Sequence, residues 1–202
     1  MEHRGLTIWF TGLPCSGKTT VAKILVERLN NMSIKAERLD GDVVRQSLTK
    51  DLGFSKEDRD KNIERITFVA ELLTRNGVLT LVSFISPYTK KRDEARKRIE
   101  DFIEVYVKCS LEECERRDVK GMYKKARAGE IKNFTGVDDP YEEPLNAEIV
   151  LETDKETPDE SADKVVSYLL KSKILEDKFY YKYESEEEEK IRERLKSLGY
   201  IE

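Results

Sequence analysis

The chain has 202 residues, enough for one α/β domain with a well-buried core and a small appendage. Charged residues make up 39% and hydrophobic residues 38%, yet 37 Lys and Arg nearly offset 41 Asp and Glu, leaving a net charge of −4. A general nucleic-acid binder should be clearly basic, so that class is disfavoured and only local basic patches are left to weigh.

The first residues, Met-Glu-His-Arg-Gly, lack the apolar stretch of a secretion signal, and no apolar run anywhere nears 18 residues, so a cytoplasmic protein without membrane contact is expected. Leu6 to Phe10 then reads as a buried strand feeding into Gly12-x-x-x-x-Gly17-Lys18-Thr19, and Val21, Ala22, Ile24 and Leu25 show helical spacing from about Lys18 to Asn30. Ile34 to Leu39 reads as a second strand, ending in Asp40-Gly41-Asp42. Ser55, with Asp58 three residues on, is placed to cap a long helix whose Ile63, Ile66, Val69, Ala70 and Leu73 recur on one face, and Gly77 follows its end. Val78 to Ile85 is the most continuous apolar run and reads as a central parallel strand, stopping at Ser86-Pro87-Tyr88.

A charged helix over Thr89 to Asp101, a strand over Ile103 to Val107 and a short helix over Leu111 to Asp118 come next. Residues 119–144 mix Lys, Arg, Gly and aromatics without clear periodicity and read as a mobile lid. Ala147 to Leu151 is the last strand and Pro158 to Leu170 the last helix, with proline suited to its first turn. Strands alternating with helices predict a doubly wound, parallel, five-stranded sheet over residues 1–172. Residues 173–202 are a C-terminal helical extension, in which Ser185 caps Glu186 to Glu189 and Ile191, Leu195 and Leu198 form a narrow apolar stripe suited to docking or a dimer contact. Cys15, Cys109 and Cys114 are scattered without a C-x-x-C pair and His3 is the only histidine, which disfavours a disulfide framework or a zinc site.

The strand–glycine loop–helix context marks a phosphate-binding loop of P-loop NTPase type. Gly12 and Gly17 let the backbone wrap a phosphate, and the loop amides at the helix start supply partial positive charge. The loop residues Leu13, Pro14, Cys15, Ser16 and Thr20 complete the nucleotide site, Lys18 reaches the β- and γ-phosphates, and the Thr19 hydroxyl is placed to ligate Mg²⁺.

Ligands of open parallel sheets bind beyond the carboxyl ends of the strands. Asp40 and Asp42 arrive there, able to accept the proton of an attacking hydroxyl or to hold Mg²⁺ through water; turn-forming aspartates are the competing reading, and the residues alone leave both open. Arg59 and Asn62 share a helix face and with Arg45 can grip an anion. Lys120, Lys124, Lys125, Arg127 and Lys132 suit charge neutralisation in phosphoryl transfer, an RNA-binding patch or plain solvated surface. Phe54 and Phe134 suit a stacking platform for a base or a core anchor.

Taken together, Gly12-Leu-Pro-Cys-Ser-Gly-Lys-Thr19, Leu39-Asp-Gly-Asp42 with Arg45, Leu52-Gly-Phe-Ser55 ahead of Arg59 and Asn62, Ser83-Phe-Ile-Ser-Pro-Tyr88, the run Arg117 to Lys132, and Asn133-Phe-Thr-Gly136 closely resemble adenylylsulfate (APS) kinase over roughly residues 5 to 170. The resemblance implies transfer of the ATP γ-phosphate to the ribose 3′-hydroxyl of adenosine 5′-phosphosulfate, giving 3′-phosphoadenylyl sulfate (PAPS). It places Asp42, Arg45, Phe54, Arg59, Asn62, Ile85, Ser86, Lys120, Asn133 and Phe134 around the sulfate nucleotide, with Phe54 and Phe134 clamping its adenine and Arg117 on the ATP base. Asp42 is expected to activate the hydroxyl, with Lys18, Asp40, Ser86 and Lys120 beside it in the catalytic set and Thr19 and Asp40 on the metal. Ser86 matches a serine described in the family as a phosphorylated intermediate; a metal-assisted, in-line transfer needs no covalent relay, so orientation of substrate is the role expected here.

Three departures stand out against the resemblance. The segment between Arg96 and Ile103 is shorter than in many members, Asn133 replaces a commoner glycine, and the tail has no counterpart. With no sulfurylase-like domain attached, a free-standing kinase acting as a homodimer is expected. The rivals are another small-molecule kinase, of nucleoside monophosphate or gluconate type, and a nucleotide-regulated switch or RNA-binding module. Paired aromatics beside Arg59 and Asn62 favour a nucleotide acceptor; near-neutral charge and the lack of an Asn-Lys-x-Asp element count against a switch.

Overall fold

The computed structural model describes residues 4–175. Five strands, β1 (Leu6–Thr11), β2 (Ala36–Asp40), β3 (Leu79–Ser83), β4 (Phe102–Lys108) and β5 (Ile149–Glu152), form one sheet in the order β2-β3-β1-β4-β5, every pair parallel. From β1 the chain moves to one side for β2 and β3, then to the other for β4 and β5. That reversal opens a crevice at the carboxyl ends of the strands. Val78 to Ile85 supplies β3, an interior parallel strand as expected, and β1, flanked by β3 and β4, is the middle strand.

Side-chain alternation along β1 sorts the two faces. Leu6, Ile8 and Phe10 join Val21, Ala22, Leu25 and Leu29 of helix α1 (Lys18–Asn31) and Val165, Val166 and Leu169 of helix α7 (Pro158–Lys171). Trp9 points the other way, into Ile63, Ile66 and Ala70 of helix α3 (Lys56–Arg75) and Ala95 of helix α4 (Thr89–Arg98). Helices thus cover both faces, as the doubly wound reading requires. Full burial of side chains such as Leu25 or Leu81 is worth about 1.5–3 kcal/mol each, which anchors the frame from which the loops project.

The caps follow the sequence signals. The Ser55 hydroxyl accepts the Asp58 amide, Gly77 adopts φ 76° just past α3, and Pro158 opens α7 behind a Thr157–Glu160 capping box. α4 ends at Arg98, short of Asp101, because Ile99 turns extended to bury its side chain against α3. A five-residue helix α2 (Gly41–Arg45) follows β2, and α5 (Leu111–Arg117) follows β4.

Residues 119–144 are more ordered than their sequence suggests. They contain helix α6 (Met122–Arg127), and Tyr123, Ala126 and Phe134 bury themselves against Cys109, Cys114 and Leu13 in a small core of their own. Of the expected C-terminal extension, residues 176–202 lie outside the described residues.

Candidate active site

The phosphate loop leaves β1 and is locked against the sheet. A Cβ on Gly12 would fall 2.5 Å from the Val107 carbonyl oxygen, and Gly17 sits at φ 102°, so both positions demand glycine. Cys15 also takes a left-handed backbone, at φ 61°. The Lys18 ammonium folds over its own loop and donates to the carbonyls of Gly12 (2.9 Å) and Leu13 (2.6 Å) and to the Ser16 hydroxyl (3.3 Å). Burial pushes its pKa down to about 8, against the pull of the nearby Asp40 and Asp42. A cation that is buried and bonded only to neutral acceptors is poised to receive an anion.

Asp40, at the carboxyl end of β2, is almost fully buried. Its Oδ2 accepts the Thr19 hydroxyl (2.9 Å), the Arg38 guanidinium (2.6 Å) and the Ser83 hydroxyl (3.1 Å), while Oδ1 accepts the Asp42 amide (3.0 Å) and caps α2. Burial alone would raise its pKa; the bonds from Thr19 and the Asp42 amide, with Arg38 and Ser83, outweigh it and hold the carboxyl below its usual value. Among the described residues no group of three or more His, Cys, Asp or Glu converges on a metal position. A magnesium ion bound with nucleotide phosphates needs only one or two protein oxygens, and the Thr19 hydroxyl, backed by Asp40 at the end of β2, fits that demand.

The facing wall comes from α2, α3 and the loop after β3. Asp42 projects from the first turn of α2 and is ion-paired with Lys120 of the 119–144 segment. Arg45 donates to the carbonyls of Leu52 (3.2 Å) and Gly53 (3.1 Å) and lies 4.5 Å over the Phe54 ring. Arg59 donates to the Phe54 carbonyl (3.0 Å), the Thr135 hydroxyl and the Asn133 carbonyl, and its guanidinium stands 3.8 Å from Asp139. One turn on, the buried Asn62 Oδ1 has no hydrogen-bond partner, an orphaned acceptor in the cleft wall. Ser86 is buried at φ 45°, its hydroxyl accepting the Trp9 indole N–H at 3.0 Å.

These groups line one cleft of about 840 Å³, near the upper end of the range for small-molecule sites. Of the residues singled out in the sequence, Gly12, Leu13 and Ser16 of the phosphate loop do not line it, nor do Lys124, Lys125 and Arg127, the last of which pairs with Glu115 on the surface; the others do. The two aromatics differ. Phe54 is 54% exposed, whereas Phe134 is 9% exposed and packs edge-on against Tyr123 with ring centroids 4.9 Å apart. Arg117 spans Glu113, the Cys15 carbonyl (3.5 Å) and the Thr153 carbonyl (2.5 Å), beside the loop's outer rim. Asn133 sits at φ 57°, the left-handed region in which asparagine is the tolerated stand-in for glycine.

Several residues of the site were not anticipated. Ser83 ends β3 and Thr153 follows β5, both at strand carboxyl ends, while Arg38 lies two residues before the end of β2. Trp9 was read only as part of an apolar run, yet its N–H holds Ser86. Asp139, which takes the Tyr88 hydroxyl at 2.9 Å and faces Arg59, had no sequence signal at all.

Comparison with known proteins agrees with this geometry. The adenylylsulphate kinase family model matches residues 4–152. An adenylyl-sulfate kinase of Picosynechococcus sp. is 62% identical over 169 residues, covering 84% of this chain and 96% of the relative. The solved structure of the Mycobacterium tuberculosis APS kinase CysC in complex with AMPPNP and APS superposes with a TM-score of 0.80 at 47% identity, covering 83% of this chain and 98% of that one. A hexameric APS kinase from Thiobacillus denitrificans matches 86% of this chain but only 30% of its own, with a TM-score of 0.67 at 32% identity. The chain belongs to the adenylylsulfate kinase family.

Proposed function

We infer that this protein transfers the γ-phosphoryl group of ATP to the ribose 3′-hydroxyl of adenosine 5′-phosphosulfate, releasing ADP and PAPS. The observation that carries the reading is a single cleft with a phosphate loop on one wall and, on the other, Arg59, the unpartnered Asn62 Oδ1 and two phenylalanines. One wall suits a triphosphate and the other a second, anionic, base-bearing nucleotide.

In this reading Lys18 leaves its loop carbonyls for the β- and γ-phosphates, and the loop amides take the remaining oxygens. Mg²⁺, held by Thr19 with Asp40 behind it, offsets charge on the phosphates when bound. Asp42 orients the 3′-hydroxyl and receives its proton as the new O–P bond forms and the bond to the ADP oxygen breaks. The Ser86 oxygen already accepts from Trp9, which leaves its O–H free to donate to the acceptor nucleotide and argues for orientation rather than covalent relay. Arg59, Arg45 and Lys120 neutralise the sulfate nucleotide, Ile85 and Asn133 line its base with Phe54 and Phe134, and Arg117 packs on the base of ATP.

None of the described helices is long and apolar enough to cross a membrane, and the working assignment is a cytoplasmic enzyme. A homodimer is the proposed assembly, to be measured by sedimentation. The decisive test of function is mass-spectrometric detection of PAPS from purified protein, ATP and APS; ADP release without 3′-phosphorylated product would overturn the reading.

A further inference from the structure

Asp40 and Arg38 lie two residues apart on β2, hence on the same face of an edge strand, where their side chains meet as an ion pair. A carboxylate oxygen offers about two lone-pair sites, and Asp40 Oδ2 already meets three donors: the Arg38 guanidinium at 2.6 Å, the Thr19 hydroxyl at 2.9 Å and the Ser83 hydroxyl at 3.1 Å. Oδ1 is turned to the Asp42 amide at 3.0 Å as the cap of α2. This carboxylate therefore has little capacity left to coordinate a cation directly. The Thr19 hydroxyl, by contrast, spends its proton on Asp40, which leaves its oxygen lone pairs available to a cation.

We propose that Arg38 is a positioning residue that keeps Asp40 one layer behind the metal. By occupying Asp40 Oδ2 and adding a positive charge beside it, Arg38 directs Mg²⁺ to the Thr19 hydroxyl, water and the nucleotide phosphates, and weakens the site's grip on divalent cations. An exposed pair of this kind would be worth little. Here the carboxylate is buried and the guanidinium three-quarters covered, so the charge is felt at the metal position with limited screening. The arrangement suits a kinase whose metal must arrive and leave with each nucleotide.

The inference rests on the reading of Thr19 and Asp40 as the metal end of the site, and the test separates the two. Binding of a fluorescent ADP analogue is followed as Mg²⁺ is titrated, and Mn²⁺ retention with ADP is followed by paramagnetic resonance, in the wild type and in Arg38→Met, Arg38→Lys and Asp40→Asn. Arg38→Met is expected to lower the half-saturating Mg²⁺ concentration roughly threefold to tenfold, the effect of deleting one partly screened charge near a divalent ion. Arg38→Lys, which keeps the charge, should stay near the wild type. An unchanged or raised Mg²⁺ requirement in Arg38→Met overturns the proposal, as does weakened binding of metal-free ADP in that variant, because Arg38 would then be a direct phosphate ligand. If Asp40→Asn leaves the Mg²⁺ dependence untouched, the assignment of Asp40 to the metal falls, and the proposal with it.

Discussion

The two walls of the cleft are built by different physics. The phosphate-loop wall is a backbone construction: β1 and α1 are set by the core, and Gly12 and Gly17 are fixed by a close approach and a positive φ. The opposite wall is a side-chain construction, in which residues 119–144 are tied down by Arg59, by Lys120 to Asp42, by the Tyr123 hydroxyl to the Pro14 carbonyl at 3.0 Å and by Tyr88 to Asp139. A wall held by the core changes little when a nucleotide binds. A wall held by polar side chains, several of which are also proposed ligands, must exchange its bonds when substrate enters. The first suits the holding of a phosphate chain; the second lets polar contacts pass from the protein to a substrate.

Substitutions that separate the walls test this contrast. The largest effect is expected for Asp42→Asn, which should lower kcat about 10³-fold, within the span of general-base losses, while leaving ATP-analogue affinity unchanged. Near-normal turnover in that variant would remove Asp42 from the chemistry. Arg59→Ala strikes the side-chain wall alone. It removes several charge-assisted bonds, so KM for APS should rise about 10- to 100-fold and stability to urea fall by about 2 kcal/mol, with KM for ATP little altered. An equal rise in both KM values would mean that the walls are not independent.

The phosphate-loop wall has its own signature in pH. With Lys18 near pKa 8 when no nucleotide is bound, phosphate binding stabilises its protonated form and raises that pKa. Nucleotide affinity should therefore be steady below pH 7 and fall above about pH 8, by up to about tenfold per unit, with proton uptake on binding visible by calorimetry in buffers of different ionisation enthalpy. Lys18→Arg, which does not titrate in this range, should flatten the profile. The smallest effect is reserved for Tyr123→Phe. Loss of its hydroxyl bond to Pro14 should cost about 1 kcal/mol and show as roughly fivefold faster proteolytic nicking within residues 119–144, with kcat nearly unchanged.

The contrast also accounts for which parts of the molecule could be read in advance. Backbone-determined features carry local signals: the glycine spacing, the Ser55 cap, the period of α3 and the alternation of strands and helices each depend on residues a few positions apart. The 119–144 segment has no such period, because Tyr123 and Phe134 are held by Cys109, Cys114 and Leu13 rather than by their chain neighbours. Phe134 could be placed in the site by resemblance, but its edge-on burial under Tyr123 could not.

By itself the sequence determined the fold class, the phosphate loop and the family, since each is encoded in short-range spacing or in motifs that survive without coordinates. Only the tertiary structure decided that β1 holds the centre of the sheet, that the Trp9 indole grips Ser86, and that Asp40 shares one oxygen among Thr19, Ser83 and Arg38. Apart from Arg38 and Asp40, which are neighbours on one strand face, such pairings join residues tens of positions apart, through strand order and the direction in which each strand presents its side chains, and no local pattern records either.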